Sequence, residues 1–166
     1  MTESVRDPRA VKIAGIALNL AMKDDLGEAA RYVERLNGSN ALVDALLLWI
    51  DTFIGRIYPE HEYGKPLAMR WVWKPTDEMQ TADEVRPSMR WAGRLIATRA
   101  SDDHDGFMDL LRSVPEGKAL GDCIMALLHA VAESLKDVDY VREKSAQQRR
   151  GGRVFGPGES HHTDTP

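Results

Sequence analysis

From Val11 to Met22 apolar residues crowd the chain (Val11, Ile13, Ala14, Ile16, Ala17, Leu18, Leu20, Ala21). Such a stripe is wider than a surface helix needs, and it predicts a helix buried on more than one side. Asp7 before Pro8 supplies the start: a carboxylate cap, then a proline where the missing N–H costs nothing. Asp24 and Asp25 close that helix. Asp25 with Glu28 three residues on is a capping-box pattern for a short second helix, which runs through Ala29, Ala30, Val33 and Leu36 to the Asn37-Gly38 stop. Ser39 is expected to cap a third, whose Leu42, Ala45, Leu46, Trp49, Ile50, Phe53 and Ile57 keep i, i+3, i+4, i+7 spacing until Pro59.

The same grammar returns later. Pro87 opens a fourth helix and Asp103 caps a fifth (Phe107, Leu110, Leu111, Val114). Pro115 to Gly117 then separate it from a sixth carrying Leu120, Cys123, Ile124, Leu127, Leu128, Val131 and Leu135. Sliding the chain by 78 positions lays residues 12–51 on 90–129 without a gap, with identities at Ala14/Ala92, Gly15/Gly93, Asp24/Asp102, Asp25/Asp103, Ala41/Ala119, Leu42/Leu120 and Asp44/Asp122. Conservative pairs such as Leu18/Ile96, Val33/Leu111 and Ile50/Leu128 fall on inward positions. The expectation is an all-α fold, a six-helix bundle built from two pseudo-repeated three-helix units, 8–58 and 86–140, packed face to face.

Between the units, residues 59–85 read as a connector punctuated by Pro59, Gly64, Pro66 and Pro75. Within it "LAMRWVWK" sets Met69, Trp71 and Trp73 on one parity, consistent with a short extended segment or a hairpin arm. A lone strand has no ladder partner, so this Trp-rich stretch is expected to lie across the helices. After Lys136 the pattern thins: "DVDYVREKSAQQRR" is read as prolonging the last helix, and residues 151–166 have the composition of a disordered tail outside a single helical domain of 1–150.

Composition sharpens the picture in a few places. In 166 residues, 43% are apolar, enough for a sizeable core. A net charge of −4 argues against a protein that mainly coats nucleic acid or a membrane. One cysteine, Cys123, gives no internal disulfide, the opening residues lack a signal-like apolar run, and "ALLLWI" is far too short to span a bilayer. A cytoplasmic location is the expectation.

Chemistry is sparse. "SDDHDG" resembles part of a calcium loop, but Ser101 and Arg112 occupy the positions where carboxylates would ligate, so helix capping is the expected role of Asp102 and Asp103. The histidines at 61, 104, 129, 161 and 162 form no metal-ligand spacing, and no phosphate-binding glycine loop is present. No metal, cofactor or catalytic residue is assigned. Asp44 and Asp122 recur one turn into the third helix of each unit, and with His129 they make the alternative site, a carboxylate cleft between the units for a small-molecule or metal-dependent enzyme. Trp49, Trp71, Trp73 and Trp91 are large rings that can close the seam between the helical units; where they instead face outward, Trp71, Trp73, Arg70 and Trp91, together with Arg149 and Arg150, are the candidate partner-binding set. Arg142, Lys144, Arg149, Arg150 and Arg153 form a basic stretch able to meet phosphates, so nucleic acid is expected only through this end.

The string "RWAGRLIATRASDD", followed by "LL" and then the "ALL" and "AVAESL" spacing, resembles uncharacterised helical proteins of actinobacteria and their phages. The resemblance implies an accessory cytoplasmic or phage-encoded protein and carries no catalytic residue. The function expected is a non-enzymatic protein-interaction module, binding another protein or its own copy.

Overall fold

The computed structural model describes residues 5–69, 72–73, 78–79 and 84–154, with 72–73, 78–79 and 148–154 as backbone alone. The architecture is all-α, with α1 (Pro8–Met22), α2 (Leu26–Val33), α3 (Ser39–Ile57), α4 (Pro87–Ala100), α5 (His104–Arg112), α6 (Lys118–Lys136) and α7 (Val138–Val154). A minimal antiparallel hairpin, β1 (Val72–Trp73) with β2 (Glu78–Met79), lies between α3 and α4.

The paired aspartates divide their labour. Asp24 and Asp102 adopt left-handed backbone, φ 64° and 56°, a region Asp tolerates better than most side chains. The two N–H groups that follow each helix fold back on it: Asp25 N donates to Leu20 O and Asp24 N to Ala21 O, while Asp103 N donates to Thr98 O and Asp102 N to Arg99 O. These are Schellman closures made with Asp where glycine is usual. The second aspartate of each pair starts the next helix, Asp25 accepting from Glu28 N at 3.2 Å and Asp103 from Gly106 N at 2.9 Å. Two adjacent carboxylates thus end one helix and begin another with no spare residue. We expect Asp103→Ala to cost about 1 kcal/mol and Asp102→Gly to be neutral or stabilising by up to about 1 kcal/mol. Urea titrations of both single variants measure this.

Asp7 caps α1 as its position before Pro8 dictates, accepting from Arg9 N. Ser39 does not cap α3. The chain must turn through φ 87° before that helix, a conformation glycine reaches cheaply, so Gly38 holds the cap position and Ser39 is the first helical residue. Gly117, at φ 97°, does the same for α6.

The longest helices supply the middle of the molecule. Trp49, Leu46, Ile50 and Ile54 of α3 and Leu127, Leu128 and Val131 of α6 are among the largest fully buried side chains. α1 packs on both α3 and α6, α4 packs on α6 and more lightly on α3, and α2 and α5 lie on α1 and α4. A single hydrophobic cluster draws on α1 through α6, so the two halves share one interior. Among the described residues no buried side-chain nitrogen or oxygen lacks a hydrogen bond, and no helix is long and apolar enough to cross a membrane.

Two expectations are corrected. The last helix is not simply prolonged: Asp137 leaves helical backbone (φ −139°, ψ 63°), and α7 restarts at Val138 and continues to Val154, into the segment assigned to the tail. The rest of that tail lies outside the described residues. The lone segment without a ladder partner gives way to the hairpin-arm alternative, with Met79 opposite Val72 and Glu78 opposite Trp73.

Candidate functional site

Asp51, near the middle of α3, gathers the densest polar cluster among the described side chains. Arg99 of α4 grips it in a two-point fork, Nε to Oδ1 at 2.9 Å and one terminal nitrogen to Oδ2 at 3.0 Å. Arg6, just ahead of α1, also donates to Oδ2, and the Tyr63 hydroxyl donates to Oδ1 at 2.8 Å. The Arg99 guanidinium lies over the Tyr63 ring, 5.1 Å from its centroid, and His61 meets that ring edge-on at 5.8 Å. The backbone holds these groups in place. Ala100 O, at the last residue of α4 and beyond the reach of the helix's own N–H groups, accepts from Gly64 N at 2.9 Å and from His61 Nε2 at 3.0 Å. Gly64 can close that loop because it sits at φ 98°.

Electrostatics decide what the cluster can do. Burial pushes the Asp51 carboxyl up, but the hydrogen bonds from Arg99, Arg6 and Tyr63 outweigh it and hold the group below its ordinary value. The Tyr63 hydroxyl is driven far up, by burial first and then by its bond to the Asp51 carboxylate. A carboxylate whose two oxygens already accept several charge-assisted bonds is a poor proton acceptor, and a phenol held protonated is a poor nucleophile. The arrangement therefore works as a four-way fastener joining α3, α4, the chain ahead of α1 and the start of the connector.

The sequence-derived candidates are scattered. Asp44 accepts from Asp7 N at 2.9 Å and so ties the start of α1 to α3. Asp122 is exposed and pairs with Lys118 one turn earlier at 3.2 Å. His129 is half-buried on α6. Among the described residues no three His, Cys, Asp or Glu side chains come together as a metal site. The Cys123 thiol is pushed up by burial and by Asp122, away from the thiolate. Trp91 is not a surface ring: it is 7% exposed, and its Nε1 donates to Leu110 O at 3.0 Å, binding α4 to α5. Arg70 and Trp71 lie outside the described residues, Trp73 sits on β1 and Arg149 and Arg150 sit on α7, all three placed by backbone only.

Sequence reading missed the Asp51 cluster for a definite reason. Asp51 follows directly on the "ALLLWI" run with no local motif to mark it, and its partners stand 45 and 48 positions away in Arg6 and Arg99. Under the 78-residue shift Asp51 falls on His129 and Arg99 on Ala21, so the internal comparison gives no sign of it either. Comparison with family models, with curated proteins and with solved structures found no match for this chain.

Proposed function

We propose that this chain is a non-enzymatic helical interaction module whose Trp-bearing connector, Arg70, Trp71 and Trp73 with the β1–β2 hairpin, receives a protein partner. The observation that carries the reading is that the acidic candidates do not converge: Asp51 is committed to Arg99, Arg6 and Tyr63 and Asp44 to the start of α1, while Asp122 stands exposed beside Lys118 of its own helix. The connector is clamped at its start by His61 and Gly64, which gives a tryptophan-carrying arm a fixed root. Rings of this type with neighbouring cations supply much of the energy at protein interfaces. An accessory cytoplasmic or phage-encoded role, and self-association as one form of partnership, belong to the same proposal.

The scaffold is proposed to be a duplicated three-helix unit, α1–α3 and α4–α6. Support comes from the matched Asp24/Asp102 and Asp25/Asp103 closures and from the buried faces of α3 and α6. Leu46, Trp49, Ile50, Phe53, Ile54 and Ile57 correspond at the 78-residue shift to Ile124, Leu127, Leu128, Val131, Ala132 and Leu135, all buried.

The test pairs wild type with Trp71→Ala/Trp73→Ala. A partner captured by wild type, identified and then titrated as a purified protein, is expected to bind the double variant at least tenfold more weakly, at unchanged thermal stability. Equal affinity for both proteins removes the connector from the reading. Sedimentation of wild type across a hundredfold concentration range checks whether the partner is a second copy.

A further inference from the structure

The basic end of the chain is organised into a helix, and its register carries an inference independent of the connector. Residues 142–154 hold five basic side chains against one acid, Glu143, a local charge of +4 in a chain whose total is −4. α7 docks through Val138 and Val141, which pack against the core, and through Ser145, which is 7% exposed and donates to the Tyr58 hydroxyl at 3.1 Å. Arg142 flanks that docked side, its Nε donating to Arg56 O at 2.7 Å as α3 ends, and it remains exposed. At about 100° per residue, Arg149 and Arg153 fall within about 20° of Arg142 around the helix, and Arg150 stands about 80° round from it. That line continues the row of Val138, Arg142 and Ser145 past the last docked side chain, over about 16 Å from Arg142 to Arg153 at 1.5 Å per residue.

We propose that α7 presents Arg142, Arg149, Arg150 and Arg153 as a sequence-independent contact for the phosphate backbone of a nucleic acid. Four of the five basic residues are arginine, whose planar fork suits phosphate oxygens. A membrane surface fits poorly: beyond Ser145 the helix reads "AQQRRGGRV" with no apolar stripe to insert, the two valines before it being spent on docking. An acidic protein surface fits less well too, since this register offers no aromatic or aliphatic anchor beside the charges. Gly151 and Gly152 each cost about 1 kcal/mol in a helix interior, so this end of α7 is intrinsically weak and gains helix when phosphates neutralise its arginines.

The experiment follows fluorescence anisotropy of a labelled 20-base-pair duplex with the full chain at 50 and 200 mM NaCl. Four neutralised phosphates give a slope of log affinity against log salt of about −3.6, a loss of roughly a hundredfold over that fourfold change. Arg149→Gln/Arg150→Gln/Arg153→Gln keeps helix propensity, and it is expected to bind at least tenfold more weakly at 50 mM, with a slope near −1 and an unchanged melting transition. Circular dichroism of wild type is expected to gain helical signal with duplex. Absence of duplex binding at 50 mM, equal binding by the triple variant, or polyglutamate of matched charge binding as tightly as the duplex would each overturn the proposal.

Discussion

Trp49→Ala is expected to lose about 4 kcal/mol of stability, the largest effect of any single substitution considered for this chain. The side chain is fully buried at the middle of α3, within the cluster that the two halves share. Its Nε1 also donates to Ala14 O at 2.9 Å, so the ring pins α3 to α1 as well as filling space. Removing it opens a cavity that helices fastened at both ends cannot collapse into, and collapse is what keeps such costs low elsewhere. Trp49→Phe should cost only about 2 kcal/mol: the ring is partly replaced, and Ala14 O, inside α1, keeps its own helical bond. With a urea m-value of about 2 kcal/mol per molar, the alanine variant's midpoint should fall by about 2 M and the phenylalanine variant's by about 1 M. Trp91→Ala separates two readings of the Trp91 indole. A ring packed between α4 and α5 predicts a loss of about 3 kcal/mol, whereas a partner-facing ring predicts almost none. An unchanged midpoint for Trp91→Ala would contradict its burial.

What the sequence made legible is what short-range rules govern. Asp7-Pro8, Asp25, Asp103 and Pro87 mark helix starts through chemistry that acts within four residues, and the apolar spacing of α3 and α6 directly names their buried faces. The misreadings occur where local rules compete. Ser39 is a good capping residue, but the neighbouring Gly38 is the one able to adopt the backbone that the entry into α3 requires. Asp137 breaks the α6 helix although nothing in its side chain forbids helix; the bonds that α7 makes to the end of α3, from Ser145 to the Tyr58 hydroxyl and from Arg142 to Arg56 O, fit a chain redirected there by tertiary docking. For Trp91 beside Arg90 the sequence leaves a seam-closing ring and an outward one both open, because adjacent residues on a helix point about 100° apart and a basic neighbour says nothing of the indole's own side; its burial selects the first. The Asp51 cluster was invisible because each bond in it depends on the fold bringing together chain segments that are remote in sequence, Tyr63 being its nearest member.

Asp51→Asn is expected to cost about 2 kcal/mol at neutral pH, an effect that goes beyond one hydrogen bond. Arg99 and Arg6 would face an amide that can accept but carries no charge, and the Tyr63 hydroxyl would compete with them for its single oxygen. Both arginine side chains are only about one-fifth exposed, 20% and 23%, so water does not fully replace the lost carboxylate. The pH dependence fixes the mechanism. In the folded chain the Asp51 carboxyl titrates below its ordinary value of 3.8, so its contribution is complete above about pH 4 and disappears as the pH falls through the lower folded value. The stability difference between wild type and Asp51→Asn should accordingly be flat from pH 5 to 8 and narrow below pH 4, because protonation then removes from wild type the charge that the substitution has already removed from the variant. Urea midpoints of the two proteins at pH 3, 4, 5 and 7 measure this, and a gap that stays constant down to pH 3 would mean that the arginines hold Asp51 by shape alone. Arg99→Gln should reproduce most of the effect and Arg6→Gln less of it, since Arg99 offers the two-point fork and joins two core helices while Arg6 fastens only the short run of chain ahead of α1.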